Sequence, residues 1–164
     1  MPKVTFEYSL KPALNALAYL QQSLPGITRL DAFKLLYLAD RRHLELYGRP
    51  ISGDKYVAMD NGPVPSRAYD FVLKKVGKGR ELPDLGVPDL NQFSDSEQEV
   101  LDEIIKRHGN RGTSHLLRIT HDGIWRQALD AAKAKGKGSG PIHWEQIIQS
   151  LDNGEEVIEA LLQD

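Results

Sequence analysis

The sequence predicts a mainly α fold, α+β at most: a compact multi-helix domain with one short β-hairpin or strand pair near residues 50–62. Three observations predict it. Apolar residues recur at three-to-four spacing in most segments, the period of a helix with one buried face. These segments are bounded by Ser, Thr, Asp and Asn before them and Gly after them, the residues that satisfy free amides and accept a left-handed end. Only one stretch, between Gly48 and Ser66, is too dense in Gly and Pro for a helix. At 164 residues the chain suits a single domain over 1–164, of a size that buries roughly 70% of its unfolded surface. It shows no internal repeat and no long low-complexity linker.

The first helix is expected from about Ser9 to Ser23, with Leu10, Leu14, Leu17 and Leu20 along one side and Pro12 tolerated in its first turn. The second starts at Thr28, whose hydroxyl is placed to cap the third amide while Asp31 reaches back, and stops at Gly48. That span is about nineteen residues, or ~28 Å. Its middle, Phe33 to Ala39, is apolar nearly all round except for Lys34, which marks a central helix. Tyr56 to Met59 reads as a short strand. A helix resumes at about Ser66, with Tyr69, Val72, Leu73 and Val76 on its buried face, and ends at Gly77.

Residues 78–93 form a loop holding Pro83 and Pro88. Ser94 and Glu97 then supply a capping box for a helix lined by Val100, Leu101, Ile104, Ile105 and His108 and ended by Gly109. Thr113 or Ser114 begins a short helix to about Ile119. Residues 120–122 cap another bearing Trp125, Leu129 and Ala132, and 133–140, "KAKGKGSG", is a mobile loop. Trp144, Ile147, Ile148 and Leu151 mark a further helix. Asn153 with Glu156 caps the last, which contains Val157, Ile158, Leu161 and Leu162, so that 141–164 reads as an acidic helical C-terminal extension.

Composition excludes several classes. With no cysteine there is no disulfide framework, cysteine nucleophile or thiolate metal site. No apolar run reaches the ~18–20 residues that span a bilayer, and no leader pattern precedes a cleavage site, so a cytoplasmic protein with no membrane partner is expected. Charge is segregated. Residues 141–164 hold six acids and no Lys or Arg, 81–103 hold eight acids and no base, and 66–80 hold Arg67, Lys74, Lys75, Lys78 and Arg80 against Asp70. Alternating patches and a pI near 6.2 suit protein contact better than a duplex, which selects a basic stripe and a high pI.

The ordered set "KLLYLADRRHLELYGRPISGDKYVAMDNGPVPSRAYDFV", "FSDSEQEVLDEIIKRHG", "SHLLRITH" and Trp125 resembles the Panacea domain family of SocA-like antitoxins, which also occurs in phage-associated proteins. The resemblance covers about residues 10–132. It implies a protein that neutralises a cognate toxin, the product of an adjacent gene, by direct binding. It also raises a protease-adaptor role, since at least one type delivers its toxin to a protease, and a homo-oligomer is compatible with it. Some members carry a DNA-binding segment ahead of the domain; with the first helix so near Met1, none is expected.

Within that frame the segment 54–66 is the expected toxin-binding surface, because contacts sit on loops held by a rigid scaffold. Its candidates are Asp54, Tyr56, Asn61, Gly62, Pro63, Val64, Arg67 and Tyr69, with Asp54, Asn61 and Arg67 expected to be exposed. The bland alternative is that Gly62-Pro63-Val64 only turns a strand into a helix. No catalytic residue, cofactor or metal site is expected. Asp40, Asp54 and Asp60 lack the ligand alternation of a calcium loop, and His108, His115 and His121 lack the partners of a zinc site. His121 is better read as packing near Trp125 and bonding its local backbone. The two "GKG" runs lack the strand and Lys-Ser/Thr pair of a phosphate loop. Two other function classes remain open: a nucleic-acid-binding regulator using basic patches at 67–80 and 126–137, and a small hydrolase around His121.

Overall fold

The computed structural model describes residues 3–163. Among them are eight α-helices, one 3₁₀ turn (Leu90–Gln92) and three short strands. The helices are α1 Leu10–Ser23, α2 Arg29–Tyr47, α3 Ser66–Val76, α4 Asp95–His108, α5 Thr113–Thr120, α6 Gly123–Ala134, α7 Trp144–Gln149 and α8 Gly154–Gln163; the strands are β1 Tyr56–Met59, β2 Gly62–Pro65 and β3 Gly140–Ile142. No helix among the described residues is long and apolar enough to cross a membrane.

Helix α2 is the axis of the domain because it is apolar around most of its circumference. Ala32, Phe33, Leu35, Leu36, Tyr37, Ala39 and Leu44 are all completely buried. A single apolar stripe faces one layer; apolar residues all round require packing on several sides. Phe33, Leu35, Leu36 and Ala39 join the stripe Ala13, Ala16, Leu17, Leu20 of α1, together with Val72 of α3, Leu101 of α4 and Leu116 of α5, in one core. Tyr37 and Leu44 join a second, formed by Tyr56, Trp125, Leu129, Ile142, Trp144 and Ile148. Truncating such residues costs ~2–5 kcal/mol.

The caps follow expectation at most ends. Thr28 accepts from the Asp31 amide and Gly48 closes α2 in the left-handed region. Ser94 and Glu97 form the full reciprocal box on α4. Asp122 caps α6 through the Trp125 amide. Three details differ. Asp31 does not reach back; its Oδ2 accepts instead from Thr113 Oγ1 of α5 (2.8 Å), because α5 packs against α2. Asn153 does not cap α8 with its side chain, which donates to the Glu45 carbonyl (2.7 Å). On α3 only Ala68 and Val72 are buried, with Val76 46% exposed.

The sheet is antiparallel, in the order β2-β1-β3. The hairpin lies at 56–65 rather than 50–62, with Tyr56 opposite Pro65 and Met59 opposite Gly62. Strand β3, read in the sequence as part of a mobile loop and helical extension, pairs with the free edge of β1. Gly140 is required there: a Cβ would stand 2.9 Å from the Ala128 carbonyl oxygen and from Ala132 Cβ of α6. The acidic C-terminal segment is thus anchored. Ile142, Trp144, Ile147, Ile148, Leu151 and Val157 are core residues, while Asp152, Glu155, Glu156 and Glu159 are exposed.

Candidate functional site

The hairpin rests on two buried aspartates. Asp40 of α2 accepts from the amides of Ile51 and Ser52 (2.8 Å each), Ser52 Oγ (2.5 Å) and Tyr56 Oη (2.7 Å). Burial outweighs those four donors and pushes its carboxyl up to about 6. Asp54 accepts at Oδ1 from Lys55 N (2.7 Å) and Arg67 N (3.3 Å), and at Oδ2 from Ala68 N (3.1 Å). It is therefore the N-terminal cap of α3, whose own preceding residue, Pro65, has no side-chain bond to offer. Burial raises its pKa too, against the three amides.

The expected exposure of Asp54 is thereby corrected: it is completely buried, because a helix start that lacks its own cap draws a carboxylate in. Asp40, Asp54 and Asp60 do not converge on a cation, since the first two spend their oxygens on amides and hydroxyls and Asp60 pairs with Lys133 (3.0 Å) at the surface. Tyr56 is core, edge-on to Tyr37 (5.1 Å) and Trp144 (5.8 Å). Gly62, Pro63 and Val64 are buried as well. Of the eight candidates, Asn61 and Arg67 are exposed and Tyr69 half-buried, the last edge-on to Phe33. Arg67 lies over the Tyr8 ring (3.9 Å), beside a groove of about 740 Å³ between residues 6–9 and 49–53.

Beneath the turn of the hairpin, α2, α5 and α6 bring together Lys34, His121 and Trp125. The His121 ring stacks on Trp125 (3.9 Å, 15°), and Trp125 Nε1 donates to the Met59 carbonyl (2.7 Å), fixing the pair under β1. The packing expectation for His121 holds. The backbone bond is made across the fold, to Asn61, rather than to the neighbouring chain; Nε2 is buried without a hydrogen bond, and burial, joined by Lys34 and Arg126, holds the ring below its ordinary pKa against the Asn61 bond. Lys34 is 2% exposed. Burial lowers its pKa, opposed by Asp31. It was visible in the sequence as the lone charge in the apolar stretch Phe33 to Ala39, but its proximity to His121 depends on tertiary packing.

His108 and His115 do meet, Nδ1 to Nε2 at 2.9 Å, with Arg118 against His115 Nδ1 (3.1 Å). No group of three or more metal-binding side chains is assembled among the described residues. The basic patches lie apart: α3 packs on α1 and β2, whereas α6 packs on β1 and β3, so 67–80 and 126–137 flank opposite edges of the sheet.

Comparison with curated proteins and with solved structures returns no match. A family model described as antitoxin SocA-like, Panacea domain, matches residues 33–126, more than half of the chain, running from the core of α2 through the hairpin to Trp125 and Arg126. The chain belongs to the SocA-like antitoxin family with a Panacea domain.

Proposed function

We propose that this protein is an antitoxin that neutralises a cognate toxin, encoded by a neighbouring gene, through direct protein–protein binding and without chemistry of its own. Family membership over residues 33–126 carries the reading. Its physical support is the hairpin and the start of α3: Asn61 and Arg67 present polar groups to solvent while Asp40 and Asp54 hold the backbone beneath them through seven hydrogen bonds. A rigid base lowers the ordering cost of association. The reading places the protein in the cytoplasm, where the toxin acts. Delivery to a protease and self-association are compatible with it and add no contact to it.

A nucleic-acid-binding regulator is the less favoured reading, because the two basic segments flank opposite sheet edges and the pI is about 6.2, where a duplex would select one continuous basic surface. Co-expression with the product of the neighbouring gene tests the proposal. Growth rescue and copurification are expected, and both should weaken in an Asn61→Ala/Arg67→Ala variant more than in a Glu155→Ala/Glu159→Ala control on α8. Failure of the wild-type protein to rescue or copurify overturns it.

A further inference from the structure

We propose that Lys34, His121 and the bare backbone of Gly62 form a receptor niche for a carboxylate, supplied by an Asp or Glu side chain of the toxin. Lys34 is 2% exposed as a residue, and its ammonium, which is not fully shut off from solvent, makes no hydrogen bond or ion pair among the described residues. His121 Nε2 is buried with no hydrogen bond. The two side chains border the same space: the point where a Gly62 Cβ would stand is 3.5 Å from Lys34 Cε, His121 Nε2 and His121 Cδ2. Glycine at position 62, with φ +121°, leaves that space free of a side chain. Native proteins pair nearly all buried polar groups, and an unpaired one calls for an explanation such as an absent ligand.

The chemistry of the two groups selects the ligand. An ammonium offers only donors, and the His121 ring, drawn to its cationic form by an incoming carboxylate, offers one more at Nε2, so the complement is an anionic acceptor with two oxygens. The carboxylate that raises the Lys34 pKa, Asp31, forms no ion pair with it. One Asp31 oxygen is taken by Thr113 and the other is itself buried without a partner. Arg126 adds positive charge at the rim, its guanidinium over the Trp125 ring at 4.9 Å. The Trp125 stack prevents His121 from turning away. The mouth of the niche is the hairpin turn, where Asn61 is exposed and His121 partly so, which is the surface assigned above to toxin contact. The toxin as source rests on that assignment; the niche does not.

Two measurements separate these claims. In the first, acetate is titrated into the purified protein while the His121 ring protons are followed by NMR. A saturable shift that is lost in Lys34→Met is expected; no saturable shift, or one that survives in Lys34→Met, overturns the niche. In the second, toxin affinity is measured by calorimetry. Lys34→Met and His121→Phe, which keeps the ring on Trp125, should each weaken binding by about tenfold or more, as for loss of one partner of a buried interfacial charge pair. Lys34→Met should melt at or above the wild-type temperature, because it replaces a partly desolvated ammonium that has no hydrogen-bond or ion-pair partner among the described residues; a lower melting temperature assigns Lys34 to the scaffold and overturns the proposal. If the wild-type protein binds toxin and both variants bind equally well, the toxin carboxylate is refuted while the antitoxin reading stands. If the wild-type protein does not bind toxin, the antitoxin reading and the toxin carboxylate fall together, and acetate still decides the niche.

Discussion

Replacing Asp54 by Ala tests the hairpin's foundation most sharply, because the sequence and the structure make opposite predictions for it. As an exposed loop charge, its loss would stay within ~0.5 kcal/mol. As the buried cap of α3, its loss deletes three acceptor bonds. The Lys55 amide belongs to an exposed residue and regains water. The Arg67 bond is long at 3.3 Å and contributes least. The Ala68 amide is left buried and unpaired, at ~1–3 kcal/mol, and a lost N-cap typically costs ~1 kcal/mol. These two figures overlap, since the Ala68 bond is part of the cap, and removal of a desolvated carboxylate offsets some of the loss. The net expectation is ~2 kcal/mol, which for a domain of this size is ~4–8 °C in melting temperature. Asp54→Asn, keeping one acceptor, should fall between. Thermal and urea denaturation followed by circular dichroism read both variants. A melting temperature for Asp54→Ala within about 1 °C of wild type, corresponding to the surface range, would refute the capping argument.

Ser94→Ala should cost ~0.5–2 kcal/mol by removing the acceptor for the Glu97 amide, read as a lower urea midpoint. Asp40 gives a pH signature: its folded pKa of about 6 lies above the ordinary carboxyl value of 3.8, so the native state holds a proton between about pH 4 and 6 that the unfolded chain has released. Its contribution therefore falls as pH rises through that window, by up to ~3 kcal/mol. Asp40→Asn should gain on wild type by that amount between about pH 4 and 6.5, and a difference constant with pH would contradict the assignment. Chelation should leave the melting temperature unchanged, and elemental analysis should find no stoichiometric metal, since no set of three or more ligands is assembled among the described residues.

The helical frame was legible where local chemistry decides it. Thr28 and Gly48 bound α2, and Ser94 with Glu97 opens α4, because capping is settled within one turn. What escaped depends on contacts far along the chain. Strand β3 is "GPI" after a Gly/Lys run, with too few residues to alternate, and exists because β1 offers it an edge some eighty residues away. Asp54 looked like a loop charge; the one local hint was that α3 begins after a proline with no capping side chain of its own. Lys34 was visible as a charge in an apolar stretch, and its significance depends on α5 bringing His121 beside it.

Calorimetry of the purified protein with the purified product of its neighbouring gene, repeated from low to high salt, tests the central claim most directly. Neutralisation by direct contact predicts a saturable, stoichiometric complex whose affinity changes little with salt, as for a packed protein interface, together with weak nucleic-acid binding that falls steeply as salt rises. Absence of any complex with the neighbouring product, alongside tight binding to a duplex, would contradict it.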